Sequence, residues 1–419
     1  MIRRRLTLHL LSALALLVLT APALASKGGP KAEKEIKFWH TVGTHNKDIL
    51  NQTIKAFNEE NQSEPVVSVF QGSPRDLLLK LLSQENLPDV IQVPVQALEQ
   101  LHAQGLITDL TPLVSNALKK DISHKYWQSV SIDERIYGIP FEYSVPLLYV
   151  NQHILRISGV KQEFRLKSWD DIYSIAQKIK KYSRKKWALH IPVSTVPQFL
   201  SFIRSYTGTP VVREGKFSIN TEEAVSAMQF LQNLVFQEKI MPAKVTADEV
   251  EALFLSGNLG IMLNSSSMLV YIESNLPYDM NVWHLPSEND LPPVVTGSCL
   301  ALVRSNAKHE KHIFSFVEYM VDYARAIKWH THTGSPAIRT SVKESLDLLV
   351  FYEDNPNHMS SVIELERGRI YDPEWYFLGM DSIIENALDE ILIKGEDPQK
   401  ILFEAQKEID AIVQAKNEQ

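Results

Sequence analysis

Short apolar runs alternate with amphipathic segments between residues 35 and 103. The runs predict strands, and the segments, with apolar residues three and four positions apart, predict helices. The predicted strands are Glu35–Phe38, Val66–Phe70 and Val90–Val93, and the predicted helices lie within Lys47–Asn61, from Pro74 onward and at Leu98–His102. Such alternation is typical of a parallel sheet that binds ligands at the carboxyl ends of its strands. We therefore expect one rim to carry Trp39, His40, Gly72, Ser73 and Pro94.

The pattern continues through the rest of the chain and predicts an α/β fold. Further strands are predicted at Ala188–Pro192, Leu259–Leu263, Met280–Leu285 and Gly297–Val303, and an extended aromatic segment at Ile370–Leu378. Further helices are predicted at Trp169–Tyr182, Val196–Tyr206, Thr221–Glu238, Ala247–Leu255, His309–Tyr323, Ala324–Thr331, Asp347–Asp354, Met380–Ile393 and Asp397–Gln414. Helix-capping signals are expected at Ser73 with Pro74 as the first helical residue, at Ser168, and at Asn220.

The segment Ile139–Asn151, IPFEYSVPLLYVN, is extended but interrupted. Pro140 and Pro146 cannot donate hydrogen bonds to a sheet, and Glu142, Tyr143 and Ser144 form a polar break between them. One interpretation is a strand that leaves one sheet and joins another, with its polar break facing a cleft. The other is a single edge strand within one domain, because prolines are confined to such strands.

A second candidate ligand element follows the apolar run Leu259–Leu263. Asn264, Ser265, Ser266 and Ser267 are four small polar residues placed before an apolar segment. A helix that begins there would offer free backbone N–H groups to a ligand. Simple capping of the helix explains only one of the four.

Residues 1–25 have the features of a secretory signal. Arg3, Arg4 and Arg5 precede an apolar run from Leu10 to Leu19, and Ala25 ends a small-residue cleavage site. The run falls short of the roughly 20 residues that a membrane span needs. We expect cleavage after Ala25, a flexible leader at residues 26–34, and a periplasmic location.

Composition and net charge limit the number of domains and the classes of partner that we expect. With 419 residues and a 44% hydrophobic fraction, two domains with substantial cores are expected. The formal net charge is −7, and removing the three signal-peptide arginines would make it −10. Nucleic acid is therefore an unexpected partner, because phosphate binding needs a basic surface. The single cysteine, Cys299, lies in an apolar run and is expected to pack in the core.

The sequence gives little support for a catalytic site or a metal-binding site. Glu142 is a candidate general acid, but a glycosidase needs a second carboxylate at a matching position. The histidine pairs His40 with His45 and His330 with His332 lack a third ligand, so neither a metal nor another cofactor is expected. No G-x-S-x-G motif surrounds Ser265. A secreted carbohydrate-active enzyme using Glu142 remains the alternative to a binding protein.

Nine segments of the chain carry a family resemblance: KFWHTVG (Lys37–Gly43), AFNEEN (Ala56–Asn61), LPDVIQV (Leu87–Val93), PFEYSVPLLYVN (Pro140–Asn151), SWDDI (Ser168–Ile172), FLSGNLGIMLNSS (Phe254–Ser266), VTGSCLALV (Val295–Val303), KWHTHTGSPAI (Lys328–Ile338) and FYEDNP (Phe351–Pro356). Taken together, they resemble the family 1 extracellular solute-binding proteins of ABC importers, and within them the sn-glycerol-3-phosphate-binding branch.

The resemblance implies two α/β lobes of the type II periplasmic-binding-protein fold, each a mainly parallel sheet flanked by helices, joined by crossing hinge strands. Lobe 1 is expected at residues 35–143 plus 298–347, and lobe 2 at 144–297 plus 348–419. Hinges are expected at Glu142–Pro146, at Val295–Ser298 and near Asp347–Tyr352. The implied protein is a non-enzymatic monomer that closes on a small solute and docks transiently on an ABC permease in the inner membrane.

The resemblance places ligand contacts at Ser144, Ser265 and Gly297. The full set of expected ligand-binding residues is Trp39, His40, Ser73, Glu142, Tyr143, Ser144, Ser265, Ser266, Gly297, Ser335, Trp375 and Tyr376. The sequence departs from the branch at Pro74, at Pro94-Val95 and at Ser335, and it lacks the arginine that the branch carries near Phe377. The expected solute is a small polar molecule: a sugar, a polyol or a glycerol-phosphate-like compound. A neutral sugar or polyol would suit the cleft, because a dianionic phosphate in a closed cleft needs charged donors.

Overall fold

The computed structural model describes residues 35–417, apart from 63, 161–165, 184–185, 194–195, 210–211, 214–215, 244, 288–290, 305–306 and 371–379. The predicted signal peptide and leader lie outside the described residues. So do Trp375, Tyr376 and almost all of the predicted aromatic segment.

The described residues contain the following strands: β1 Ile36–His40, β2 Val66–Phe70, β3 Val90–Pro94, β4 Ser131–Ile132, β5 Arg135–Ile136, β6 Ile139–Ser144, β7 Pro146–Asn151, β8 Trp187–His190, β9 Val212–Arg213, β10 Lys216–Phe217, β11 Leu259–Ser265, β12 Met280–Trp283, β13 Val294–Leu302 and β14 Arg369–Ile370.

The helices of the described residues are α1 Lys47–Glu60, α2 Pro74–Leu82, α3 Leu98–Ala103, α4 Asn116–Asp121, α5 His124–Gln128, α6 Gln152–Ile157, α7 Trp169–Tyr182, α8 Val196–Thr207, α9 Glu222–Gln232, α10 Ala247–Leu255, α11 Leu269–Asn275, α12 Ala307–Met320, α13 Tyr323–Thr333, α14 Thr340–Lys343, α15 Leu346–Asp354, α16 Pro356–Arg367, α17 Met380–Leu392 and α18 Pro398–Asn417. Short 3₁₀ turns lie at Thr44–Asn46, Val95–Ala97 and Ser266–Met268, and a π-helical turn at Asn233–Gln237 extends α9.

The first sheet has the order β14-β13-β3-β1-β2, and β6 also pairs with β13. β1 lies parallel to both β2 and β3, as the strand–helix alternation predicts. β13 runs antiparallel to β3 and β6. Cys299 is fully buried in β13, which confirms its predicted place in the core.

The second sheet has the order β12-β7-β11-β8. β7 is antiparallel to β11 and to β12, while β8 joins the far edge parallel to β11. Helices α7, α8, α9 and α17 contribute buried apolar residues to one continuous core with this sheet. The fold is therefore α/β, as predicted, with two large sheets among the described residues beside the two-stranded pairs β4-β5 and β9-β10. The second large sheet is mainly antiparallel, which corrects the expectation of a mainly parallel sheet there.

The chain passes between the two sheets at a single residue, Val145. β6 ends at Ser144 in the first sheet, and β7 begins at Pro146 in the second. The crossing-strand interpretation of Ile139–Asn151 is confirmed, and the single-edge-strand interpretation is wrong. The chain returns after β12, when β13 enters the first sheet. The predicted helix at Asp347–Asp354 is present as α15. The lobe boundaries remain a prediction.

Candidate functional site

A cavity of about 900 Å³ lies between the two sheets, beside the crossing strands. From the first-sheet side it is lined by the connection after β1, the start of α2 and the end of β3: Thr41, Gly43, His45, Asn46, Ser73, Pro74, Arg75, Asp76, Leu79, Gln92, Pro94 and Gln96. Its base is formed by Glu142, Ser144, Thr296, Gly297 and Ser298, and its far wall by Pro197, Ser267, Met268, Asp381, Ser382 and Glu385. We call this cavity the cleft.

Hydrogen bonds between strands fix the base of the cleft. The Gln92 side chain accepts from the Thr41 backbone N–H at 2.9 Å and donates to Ser298 Oγ at 3.0 Å. Ser144 Oγ and Thr296 Oγ1 lie 2.7 Å apart, which joins the two crossing strands. These hydroxyls and amides offer both donors and acceptors to a polar solute.

Ser73 is held at the wall of the cleft by helix capping. Its Oγ accepts from the Asp76 backbone N–H at 3.1 Å, and the Asp76 carboxylate accepts in return from Ser73. The hydrogen bonds from Ser73 lower the pKa of Asp76 below its ordinary value. Asp76 therefore stays ionised at neutral pH, in the first turn of α2.

Glu142 lies at the base of the cleft and accepts a hydrogen bond from Ser335 Oγ at 2.9 Å. Burial raises the pKa of Glu142, and the hydrogen bond from Ser335 opposes that rise. A carboxyl group that is reluctant to ionise is able to donate a hydrogen bond as well as accept one.

We expect Glu142→Gln to raise the free energy of unfolding at pH 7 by about 1 kcal/mol, because it removes a poorly solvated charge and keeps an acceptor for Ser335. Since the folded-state pKa is raised above its ordinary value of 4.5, the stabilisation from Glu142 is complete below that pH and is lost as the pH rises. The gain should therefore vanish near pH 4. Denaturant unfolding at both pH values measures it, with exposed Glu344→Gln as the control. A Glu142→Gln variant that is less stable than the parent protein at pH 7 would contradict this.

Four of the expected ligand-binding residues line the cleft: Ser73, Glu142, Ser144 and Gly297. Ser335 reaches it indirectly, through its hydrogen bond to Glu142. Ser265 Oγ contacts Ser267 Oγ at 2.9 Å, and Ser267 lines the wall in its place.

The other expected ligand residues in the described part of the chain are engaged elsewhere. Tyr143 is fully buried, with its hydroxyl 2.8 Å from Ser129 Oγ. Ser266 is fully buried and accepts from the Val145 backbone N–H at 3.2 Å. His40 is buried, which lowers its pKa to about 4, and Trp39 packs against the apolar core. None of these four side chains lines the cleft.

Side chains also make contact across the cleft. His45, which follows β1, lies 3.3 Å from the Glu251 carboxylate on α10, and its ring centroid is 3.9 Å from that of Tyr271 on α11. Asn46 donates to the Ser267 backbone carbonyl at 3.3 Å. Arg75 at the start of α2 donates to Ser382 Oγ on α17. The two sides of the cleft are thus in contact in this structure.

Acidic groups outnumber basic ones around the cleft. Asp76, Glu142, Asp381 and Glu385 line it, against Arg75 as the one arginine or lysine among the described lining residues. Burial and the nearby Asp381 raise the pKa of Glu385, while Arg75 opposes the rise. The cleft therefore offers little positive charge to balance the charge of a bound dianion.

Several lining residues were missed by sequence reasoning. Thr296 stands beside the expected Gly297, and Asn46 lies in the loop after β1, so both were within reach. Gln92 is a polar residue within the otherwise apolar strand β3, and such a residue indicates a polar side chain that faces a cleft. Arg75 and Ser382 carry no such signal, because their proximity depends on how α2 and α17 pack.

In the described part of the chain, no set of three or more histidine, cysteine or acidic side chains is arranged to hold a metal ion. Helices long and apolar enough to cross a bilayer are likewise absent from that part.

Residues 52–360 match the family model described as bacterial extracellular solute-binding protein. The sn-glycerol-3-phosphate-binding periplasmic protein UgpB of Escherichia coli K12 is 24% identical over 361 residues, covering 80% of this chain and 81% of that protein. The arabinooligosaccharide-binding protein of Bacillus subtilis strain 168 is 22% identical over 234 residues; that match spans 54% of this chain and about half, 53%, of the relative.

Solved structures share the architecture. UgpB of Mycobacterium tuberculosis, in complex with glycerophosphocholine, aligns with a TM-score of 0.81 at 18% identity over 91% of this chain and 99% of that one. Maltose-bound MalE3 of T. maritima aligns with a TM-score of 0.78 at 18% identity over 90% of this chain and 99% of that one. At these identities the likeness establishes the two-lobe fold.

Proposed function

Because this chain belongs to the bacterial extracellular solute-binding protein family, we propose that it captures a small polar solute in the cleft and delivers it to the membrane permease of an ABC importer. The observation that carries the proposal is the cleft itself. It is lined on one side by strands of the first sheet and on the other by α8, α17 and the turn after β11, which adjoin the second sheet, so a bound solute would contact both lobes and favour their closure.

The solute class follows from the lining of the cleft. A volume of about 900 Å³ accommodates a sugar of one to a few units. Thr41, Gln92 and Ser144, together with Thr296 and Ser298, supply the hydroxyl and amide groups that orient such a molecule. Four carboxylates against one arginine disfavour a phosphate dianion. A neutral sugar or polyol therefore suits the cleft better than glycerol 3-phosphate, although both classes occur in the names of relatives.

Within this proposal Ser73, Glu142, Ser144 and Gly297 contact the solute directly, and Ser335 acts through Glu142. Trp375 and Tyr376 keep their proposed role as aromatic contacts. The protein is exported by residues 1–25, acts as a monomer in the periplasm, and meets the permease transiently. Each of these details extends beyond family membership.

The enzyme hypothesis makes a different forecast. Glu142 is joined in the cleft by three other carboxylates, so a hydrolytic pair is a chemical alternative to a binding site. A binding protein releases its solute unchanged, whereas an enzyme consumes it. Recovery of intact sugar after prolonged incubation would support the binding function.

The direct test is a thermal-shift screen of residues 26–419 against neutral mono- and disaccharides, polyols, glycerol phosphates and phosphodiesters, followed by small-angle scattering. We expect a neutral hydroxylated solute to stabilise the protein by about 2.7 kcal/mol at a hundred times its Kd. The same solute should reduce the radius of gyration, because it closes the lobes.

The control for this screen is a matched pair of variants. Ser144→Trp fills the base of the cleft and should abolish the response, while Ser256→Trp, at an exposed position, should keep it. Glycerol 3-phosphate as the strongest hit would overturn the solute class. The absence of closure with every solute that binds would overturn the proposed function.

A further inference from the structure

A second cavity lies next to the cleft, on the side of the second sheet. Its volume is about 660 Å³, and Glu385 lines both cavities. The described residues that line it come from the ends of β8 and β11, from the segments that follow β8 and precede α10, and from α8, α10 and α17. We call it the side cavity. A solute held in the cleft has room to extend past Glu385 into this space.

Aliphatic side chains make up most of the wall of the side cavity. Val193, Met241, Leu263, Leu388 and Leu392 are all buried residues that line it. No phenylalanine, tyrosine or tryptophan is among the described lining residues. Sugar rings pack well against the faces of such aromatic side chains, whereas an aliphatic group gains from any apolar surface that it covers. The side cavity therefore suits an aliphatic group better than another sugar ring.

One polar side chain is buried in this apolar wall. His190, the last residue of β8, is only 9% exposed and lines the side cavity. Its Nδ1 is buried without a hydrogen-bond partner among the described residues, which leaves Nε2 as the nitrogen that faces a ligand. Burial lowers the pKa of His190 to about 4, so the imidazole is neutral at pH 7. A neutral imidazole nitrogen donates or accepts a hydrogen bond according to its tautomer, which fits a hydroxyl or carbonyl oxygen.

Acidic side chains surround the opening of the side cavity. Glu385 and Asp389, one turn apart on α17, are exposed residues of its lining, and Glu249 on α10 is a third. Hydrogen bonds from Thr246 lower the pKa of Glu249, so this carboxylate is ionised at neutral pH. Negative charges at the opening repel an anionic group. The aliphatic group that enters is therefore expected to be free of carboxylate or phosphate.

We propose that the side cavity is a second subsite, which takes a short aliphatic group of the solute and bonds an oxygen of that group through His190. The solute is then a small amphiphile, such as an alkyl glycoside or an acylated polyol, whose polar part occupies the cleft. This inference rests on the proposed function and defines its solute class more closely. The apolar wall supplies the affinity for the aliphatic group, and His190 fixes its position.

The experiment observes the two cavities separately in residues 26–419 labelled with [¹³C-methyl]methionine. Met241 lines the side cavity, Met268 lines the cleft, and Met359 on α16 lines neither. The first probe is 1-hexanol, because it needs no sugar group to bind. We expect it to shift the NMR signal of Met241 and to leave that of Met359 unchanged. The second probe, n-hexyl β-D-glucopyranoside, should shift Met241 and Met268 together and bind more tightly than methyl β-D-glucopyranoside.

Two matched pairs of variants test the site itself. His190→Leu removes the ring nitrogens and should weaken 1-hexanol binding about three- to tenfold. His102→Leu is its control, since His102 also has a buried Nδ1 without a partner among the described residues but belongs to α3, outside the side cavity. Ala247→Trp fills the side cavity from an exposed position and should abolish the Met241 shift. Ala103→Trp, exposed on α3, should keep it.

The outcomes separate this proposal from the proposed function. The absence of a Met241 shift with 1-hexanol, or equal affinities of the parent and His190→Leu proteins for it, would overturn the second subsite. So would a hexyl glucoside that moves Met268 alone. A Met241 that responds to 1-hexanol while no solute of the thermal-shift screen moves Met268 would support the subsite and count against the proposed function.

Discussion

Gly297→Ala will lower the free energy of unfolding by about 2 to 3 kcal/mol, because the added methyl group meets a buried ring. A Cβ at this position would lie 2.6 Å from Cδ1 and 3.0 Å from Cζ of Tyr143, the residue opposite it on β6. Tyr143 has little room to retreat. It is fully buried, and its ring packs edge-on against that of Tyr126 with the ring centroids 4.8 Å apart. Its hydroxyl also shares a hydrogen bond with Ser129 Oγ.

Gly43→Ala is the matched control for this effect. Gly43 also lines the cleft, but a Cβ there would meet no atom within 4 Å, and its φ of −58° suits any residue. Its substitution should change stability by less than about 0.5 kcal/mol. Denaturant unfolding of the two variants compares them directly. Equal stability would show that β6 and β13 separate easily at the base of the cleft.

Ser266→Ala will lower the free energy of unfolding by about 1 to 3 kcal/mol. The substitution removes a hydrogen bond to Val145, the residue at which the chain crosses between the two sheets. Val145 and Ser266 are both buried and bond each other twice. The Ser266 N–H donates to the Val145 carbonyl at 2.9 Å, and the Val145 N–H donates to Ser266 Oγ at 3.2 Å. Alanine removes the second acceptor, so a buried N–H group between the two sheets loses its partner.

Hydrogen exchange at the Val145 amide should accelerate in the Ser266→Ala protein, since its bond to the side chain is gone. The control is Ser267→Ala, which removes the hydroxyl of a residue that lines the cleft and its hydrogen bond with Ser265 Oγ, and leaves the bonds between Val145 and Ser266 in place. That variant should keep both the stability and the exchange rate. Unchanged exchange at Val145 in the Ser266→Ala protein would contradict the role of Ser266 as an anchor of the crossing.

Features of the fold that depend on short stretches of sequence were predictable. Ser73 and Ser168 cap α2 and α7 at the predicted residues, because each cap needs only its own hydroxyl and an N–H three residues on. The cap of α9 is Thr221 and not the predicted Asn220. Both residues have suitable side chains, and the backbone path from β10 decides between them.

The crossing strand was predictable only through the resemblance to a known family. Two prolines around a polar patch also fit a single edge strand, so the local sequence leaves both interpretations open. Residue roles that depend on distant partners were not predictable. Ser266 was expected to contact a ligand, yet it bonds a residue more than a hundred positions earlier in the chain. Nothing in the local sequence distinguishes it from Ser267, which faces the cleft.

The contacts across the cleft likewise could not be predicted from the sequence. The contacts of Arg75 with Ser382 and of His45 with Glu251 join elements separated by hundreds of residues. Their existence depends on the angle between the lobes, which no periodicity encodes. Of the five residues expected on one rim, Ser73 and Pro94 nevertheless line the cleft, because the carboxyl ends of parallel strands define that rim, while Trp39, His40 and Gly72 do not.

The order in which the two sheets recruit their strands constrains how the polypeptide acquires its shape. β6 pairs only with β13 among the described strands, and about 150 residues separate them. α17 and α18, which complete the second core, follow later still. During synthesis β6 therefore stays a bare edge until most of the chain has emerged. A nascent chain of this kind is expected to remain unfolded for longer than one built from two consecutive modules, which makes truncated products prone to aggregate.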